Sequence, residues 1–412
     1  MLLRSVGLMA YAVFLFSCSN KNSANNNSVP TSTDTSSNQP VETMEANTAY
    51  APAFAGQTRV AGTKTSEPWQ GTVLTKDLKK PWGIAGLPDG RLLITEKGGS
   101  MRIATSAGQL SDAITGAPAV DDKGQGGLLG LTIDPKFASN KMIYWAFSER
   151  GAGGTVTAIA KGTLSADEKT LQNITVIYRA IPAYDGDKHY GGRLLFDTEG
   201  NLVISTGERS DLATRPQAQE LQSALGKIIR ITTDGKPAAG NPFLNNDKAR
   251  PEIFSYGHRN PLGLAMHPQT KEIWNSEMGP RGGDEINIIK AGINYGWPTI
   301  TYGIEYGGQK INNGLTKQDG LEQPVYYWDP VLSPGGMTFY SGSNMPEWKN
   351  NLFIGGLSSK HIARLVIVNN KVTAEERLLA GENQRFRDVA QGSDGILYAI
   401  TDEGRLYKIA KK

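Results

Sequence analysis

The sequence predicts an all-β chain folded as a six-bladed β-propeller, and three observations carry that prediction. Short strand-like runs recur from about residue 69 to the end, each introduced by a turn-forming cluster. The repeating phrase is turn, strand, loop, strand, and it occurs in six units. Amphipathic helical windows are scarce, Pro216 to Leu225 being the best. Repetition of a small sheet with variable loops is the mark of a propeller, and a pair of β-sandwiches is the structural alternative.

Before the repeats come two segments of other character. Residues 1–18 read as a targeting leader: Arg4 is its charged start, and Val6 to Phe16 is an apolar run too short to span a bilayer. The run ends in Leu15-Phe16-Ser17-Cys18, which resembles a bacterial lipoprotein processing site, and Cys18 is the only cysteine. The expectation is a lipid-anchored protein facing the periplasm, at the outer membrane, with a plain secretory leader as the alternative. A mature body without cysteine has no disulfides. Residues 19–66 are Asn-, Ser-, Thr- and Pro-rich and are expected to be a disordered tether. The body is then 67–412.

The units follow in order. Leu87-Pro88-Asp89-Gly90-Arg91 leads into Leu92 to Thr95 and then Ser100 to Ile103. Ile133-Asp134-Pro135 and Asn140-Lys141 lead into Met142 to Phe147. Asp197 to Asn201 leads into Leu202 to Thr206 and then Lys227 to Ile231. His267 to Lys271 leads into Glu272 to Trp274. Pro346 to Asn350 leads into Asn351 to Ile354. Ser393-Asp394-Gly395 leads into Ile396 to Thr401 and then Arg405 to Ile409. Gly71 to Thr75 has no partner in the first unit and is free to close the ring on the last.

Within the third unit, strands Arg193 to Phe196 and Leu202 to Thr206 form a hairpin with His189 beyond one end and Glu208 beyond the other. Antiparallel pairing brings both side chains to one edge of the sheet. A histidine beside a carboxylate is an oriented general base. Of the four histidines, His267 sits in a blade turn, His258 precedes an Arg-Asn pair and supports it, and His361 lacks an acidic neighbour. Several connections are rich in Gly and particular polar residues, where a backbone can approach a ligand closely. Arg385 and Arg387, two apart on a strand, face one side and with Arg259 suit a ligand carrying several carboxylates. The net charge of +3 gives no reason to expect nucleic acid.

Five motifs stand in order: Gly-Gln-x-Gly-Leu-Leu-Gly from Gly124, His-x-Gly-Gly-Arg-Leu from His189, Gly-His-Arg-Asn-Pro from Gly257, Gly-Pro-x-Gly-Gly-Asp-Glu-Ile-Asn from Gly279, and Arg-x-Arg-Asp-Val from Arg385. Together they resemble the soluble quinoprotein family of glucose and sorbosone dehydrogenases, in particular its aldose sugar dehydrogenase branch. The resemblance spans about residues 69–410. It implies a six-bladed propeller that binds pyrroloquinoline quinone (PQQ) and calcium, oxidises an aldose sugar at its anomeric carbon to the lactone and passes electrons to an external acceptor. It implies that His189 is the base and Glu208 its acidic partner. Gln125, Arg259, Asn260, Arg385 and Arg387 match the quinone contacts, and Tyr306 a residue near the cofactor. The carbonyls of Gly279 and Pro280 match calcium ligands, and Glu285 with the carbonyl of Tyr295 a second, structural calcium. One departure stands out. Ser358 occupies the place of a quinone-contacting lysine, and Lys360 follows two residues later. A non-catalytic propeller that binds sugar or protein at the cell surface is the alternative function. A gluconolactonase-like hydrolase is disfavoured by the Arg-x-Arg pair and by the lack of a carboxylate-rich calcium cluster.

Overall fold

The computed structural model describes residues 39–412. Residues 1–18, read as a leader, lie outside the described residues, Cys18 included. Six antiparallel sheets are arranged in chain order as six blades. Blade 1 holds strands Pro81–Gly86, Leu92–Glu96 and Ser100–Ala104, extended at its outer edge by bridges to Leu110 and Ile114. Blades 2 to 5 each hold four strands, running from Leu128 to Arg179, Gly191 to Tyr256, Pro261 to Trp328 and Pro334 to Leu378. Blade 6 takes three strands from Phe386 to Lys411 and its outermost from Trp69–Thr75, which pairs antiparallel with Leu406–Lys411 and closes the ring.

The turn clusters occupy one place in every blade, between the innermost strand and the second. In blade 3, for example, Gly200 N–H donates to the Asp197 carbonyl, and Asp197 N–H in turn donates to the Asn201 carbonyl. Side chains alternate across each strand, so both faces of a blade meet a neighbouring blade and the hydrophobic core lies between blades. Leu129, Tyr144 and Ile159 of blade 2 pack on Leu194, Leu202 and Ile204 of blade 3. Leu92 and Ile94 of blade 1 meet Tyr398, Ile400 and Leu406 of blade 6. Fully burying one such aliphatic side chain stabilises by about 1.5–3 kcal/mol.

The innermost strands, several of which read as Gly- and Pro-rich loops, line the axis. There the chain is crowded: a Cβ on Gly336 would lie 1.7 Å from Asp388 Oδ1. Arg193 of blade 3 reaches across to Asp388 of blade 6, with Nη1 2.5 Å from Oδ2, and both side chains are almost fully buried. Its Nε donates to the Leu262 carbonyl at 2.9 Å, and its guanidinium stacks 4.5 Å from the Trp82 ring centroid.

Two sequence expectations need correction. Pro216 to Leu225 forms no α-helix: a short 3₁₀ turn, Arg215–Ala218, is followed by turns whose hydrogen bonds span three residues, as from Glu220 N–H to the Gln217 carbonyl and Ser223 N–H to the Glu220 carbonyl. Residues 39–66 do not hang free. They strap the outer edges of blades 4 and 5. Tyr327 N–H donates to the Gln57 carbonyl at 2.9 Å, Glu375 N–H to the Ala61 carbonyl at 3.1 Å, and Thr63 N–H to the Glu375 carbonyl at 2.9 Å. Asn47 N–H donates to Asp329 at 2.8 Å, Thr65 Oγ1 to Glu376 at 2.6 Å, and Arg377 pairs with Glu42 at 2.7 Å. The backbone of this segment satisfies exposed strand edges, which otherwise present unpaired N–H and C=O groups.

Candidate active site

All six blades contribute to one cavity of about 390 Å³, where the innermost strands begin and the second strands end. Pro81, Trp82 and Lys97 come from blade 1, Gly124 and Gln125 from the connection into blade 2, and Tyr190 and Gly191 from blade 3. Leu262 and Met278 come from blade 4, Leu357 from blade 5, and Arg385, Arg387 and Asp402 from blade 6, with Lys80 at the rim. The lining is strongly cationic. Arg385 Nε and Arg387 Nε donate to the two oxygens of Asp402 at 2.8 and 2.7 Å, so one carboxylate is shared by two guanidinium groups. Lys97 keeps company with Arg387 and Lys80, and its pKa is lowered by burial and then by those two like charges. Such a cavity favours an anion.

Beside it lies the pair the hairpin register predicts. Gly191 pairs with Thr206, which brings the residues just beyond them together. His189 Nδ1 is 2.5 Å from Glu208 Oε1, with His189 4% and Glu208 1% exposed. Ser210 N–H also donates to that Glu208 oxygen at 3.0 Å. With Nδ1–H given to Glu208, the lone pair sits on Nε2, to which no group among the described residues bonds. The backbone fixes the ring: His189 N–H donates to Gln125 Oε1 at 2.8 Å, and Gly191 N–H to Asn260 Oδ1 at 3.1 Å. Gly207 is required at the close approach, since a Cβ there would sit 2.1 Å from the His189 carbonyl oxygen.

Glu208 favours the imidazolium, as its place beside the ring suggests, but stronger effects outweigh it. Burial is the largest effect, Arg259 adds to it, and Glu208 opposes both, leaving the His189 pKa lowered from 6.5 to about 4. His189 is therefore neutral at neutral pH, as a base must be. The shift costs stability as pH falls from 6.5 towards 4, because the unfolded chain takes up a proton that the folded one refuses. An NMR titration of cofactor-free protein should place the His189 midpoint well below 6.5. Glu208→Gln should lower it further, and Arg259→Gln should raise it. A wild-type midpoint at or above 6.5 would show that burial and Arg259 do not dominate.

Behind Met278, Arg259 Nη1 donates to the carbonyls of Met278 and Gly279 at 3.0 and 2.6 Å, and its guanidinium packs 5.2 Å from the Trp297 ring centroid. Glu277, which the sequence did not single out, anchors this region. It accepts from Arg259 N–H at 2.7 Å and Asn287 Nδ2 at 3.1 Å and lies 2.9 Å from His258 Nδ1, and His258 stacks on Tyr295. Asp284, equally unforeseen, accepts from the N–H groups of Gly279, Leu332 and Ser333 and so shapes the Gly279-Pro280 loop.

Glu285 stands directly across the strand pair from Glu277. Burial and then Glu277 push its pKa well above the usual carboxylate range. The side-chain oxygens of Asn275 and Asn287 nearby are buried without a partner. Among the described residues no three His, Cys, Asp or Glu side chains converge as a metal cage. A cation here would need carbonyl and amide oxygens as well, the donor set that suits calcium.

Of the expected quinone contacts, Gln125, Arg385 and Arg387 line the cavity, whereas Arg259, Asn260, Tyr306, Ser358 and Lys360 do not. Tyr306 is 71% exposed. Ser358 is exposed, and Lys360 Nζ donates to Asn383 at 3.0 Å. Leu357, just before them, takes the place on the lining. Lys80, Lys97 and Asp402 line the cavity but were not foreseen. Each sits at a strand end in an otherwise ordinary charged turn, and the spacing of two that marks Arg385 and Arg387 has no counterpart there.

The site is thus a buried, carboxylate-oriented histidine beside a cation-lined axial cavity of a six-bladed propeller. Residues 78–408 match the glucose / sorbosone dehydrogenase family. The chain belongs to that family and is an oxidoreductase acting on sugars. It is 42% identical over 345 residues to the aldose sugar dehydrogenase YliI of Escherichia coli, covering 82% of this chain and 92% of the relative. The apo crystal structure of the soluble aldose sugar dehydrogenase from Escherichia coli aligns with a TM-score of 0.80 at 42% identity, covering 84% of this chain and all of that one. The PQQ-bound aldose sugar dehydrogenase of Streptomyces coelicolor aligns with a TM-score of 0.68 at 29% identity, covering 84% and 100%.

Proposed function

We propose that this protein oxidises an aldose at its anomeric carbon to the lactone, with PQQ and calcium as cofactors and a separate electron acceptor. The observation that carries the proposal is the hydrogen-bonded His189–Glu208 pair at the border of a cavity holding four cationic side chains. His189 Nε2 takes the proton of the anomeric hydroxyl, and Glu208 stabilises the imidazolium that results. Lys80, Lys97, Arg385 and Arg387 would hold the quinone's carboxylates, and Gln125 borders the same space. When bound, the quinone supplies the two-electron acceptor. The carbonyls of Gly279 and Pro280 would hold its calcium, and Glu285 with the carbonyl of Tyr295 a second one. Partnerless oxygens of Asn275 and Asn287 and the Glu277–Glu285 pair favour a cation in that second place.

The test is reconstitution. Purified protein loaded with the quinone and calcium should reduce a dye with aldoses and not without them. Exhaustive chelation should abolish the activity and lower the melting temperature. A ligand at a hundred times its Kd adds about 2.7 kcal/mol to the native state. Activity and melting temperature that both survive chelation would overturn the calcium assignment, and failure of every aldose would overturn the substrate assignment.

A further inference from the structure

Three non-glycine residues beside the His189–Glu208 pair hold left-handed backbone: His189 at φ 47°, Arg209 at 74° and Ser210 at 61°. Such conformations are costly for non-glycine residues and persist only where surrounding contacts enforce them. Arg209 supplies those contacts. It is 2% exposed, and its guanidinium forms no ion pair among the described residues. Every hydrogen bond it makes goes to a neutral acceptor. Nε donates to the Lys188 carbonyl at 3.0 Å and Nη1 to the Thr155 carbonyl at 2.7 Å. Nη2 donates to Thr155 Oγ1 at 2.7 Å and to the Gly186 carbonyl at 2.6 Å. Its plane lies 4.1 Å from the Tyr190 ring centroid. Burying a cation against neutral groups is costly.

The contacts converge on one short loop. Carbonyls 186 and 188 and ring 190 bracket His189, while Glu208, the residue before Arg209, holds the His189 ring. Thr155 belongs to blade 2, so Arg209 also ties the loop to the neighbouring blade. We propose that Arg209 is a positioning residue for the His189 base: it clamps the 186–190 loop from the backbone side, so that adjacent side chains of one turn fix the loop and the imidazole together.

The inference rests on His189 being the base, and the test separates the two. Arg209→Met keeps the bulk and removes the donors. In the reconstituted enzyme kcat should fall by roughly 100-fold, the usual result of a misplacement of about 1 Å, with KM and quinone affinity little changed. Arg209→Lys should recover little, since one ammonium cannot reproduce the planar fork. The readout that a merely structural role would not produce is the double variant. In a His189→Ala background, Arg209→Met should cost no more than about twofold, because residues acting as a unit are non-additive. Should Arg209→Met fail to fold, Thr155→Val removes one Nη2 acceptor, along with the Thr155 Oγ1 contacts to the Gly186 carbonyl and Tyr190 hydroxyl, and should lower kcat by at least about fivefold, since a net hydrogen bond contributes about 1 kcal/mol. A wild-type kcat in whichever of these two single variants folds, or a loss that persists in full in the His189→Ala background, overturns the clamp. A His189→Ala enzyme with wild-type turnover would instead overturn the base assignment itself.

Discussion

His189→Ala should leave the quinone and calcium bound and lower turnover by roughly 100-fold or more, the span usual for a positioned general base. Nothing else in the site takes over. The other three histidines lie elsewhere: His258 is wholly buried between Ser255 and Glu277, His267 caps a blade turn, and His361 is buried beside the Ser359 carbonyl. Glu208 Oε1 is taken up by His189 Nδ1 and Ser210 N–H, and Asp402 is held by Arg385 and Arg387, so neither carboxylate is free to substitute as the base. Glu208→Gln should cost less than His189→Ala, since it leaves the base in place. Its acidic limb in the pH profile should move down, because the carboxylate raises the imidazole pKa against the stronger effects of burial and Arg259. The deciding measurement is single-turnover quinone reduction by an aldose in loaded His189→Ala protein. Reduction at the wild-type rate would remove His189 from the chemistry.

Asp388→Ala should be the most destabilising single change at the axis, by about 3–5 kcal/mol, because it leaves Arg193 buried without its countercharge. Arg193 already has one nitrogen, Nη2, without a partner. Asp388 Oδ2 also accepts from Ile84 N–H at 3.0 Å, so the substitution orphans a donor of blade 1 as well. Removing both charges, as Arg193→Met with Asp388→Leu, should recover much of the loss, since a buried pair replaced by apolar groups of similar size is often near neutral. Denaturant midpoints of the cofactor-free protein check this. A change under 1 kcal/mol in Asp388→Ala would mean that water, not Asp388, neutralises Arg193.

The repeat was legible because each blade spends its turn residues at one place, between first and second strands, where Asp197 to Asn201 and Leu87 to Arg91 are typical. The hairpin behind His189 and Glu208 was legible for the same reason, since its register follows from its turn. Several of the other innermost strands were not. Pro81–Gly86 and Pro334–Phe339 carry Pro and Gly because the axis is too crowded for larger side chains, and the same residues read locally as loop. The cavity lining was legible only in part. Lys80, Lys97 and Asp402 belong to segments far apart in sequence, and only ring closure brings them together. Residues 39–66 were misread because their apolar content is low. What holds them is edge hydrogen bonding and the Glu42–Arg377 pair, which leave no periodic signature.

The same strap gives the molecule a mechanical direction. From residue 39 the chain crosses the rims of blades 4 and 5 before entering blade 6 as its outermost strand. Tension applied from the N-terminal side is therefore shared by the Arg377–Glu42 and Asn47–Asp329 contacts and by the bridge between Gly62 and Glu375, because Gly62 N–H donates to the Gln39 carbonyl at 2.8 Å. Only after these give way does the load reach Trp69–Thr75, the strand that closes the ring. The strap thus works as a strain relief, shielding the closure of the propeller, and the cavity at its axis, from whatever pulls on the chain ahead of it.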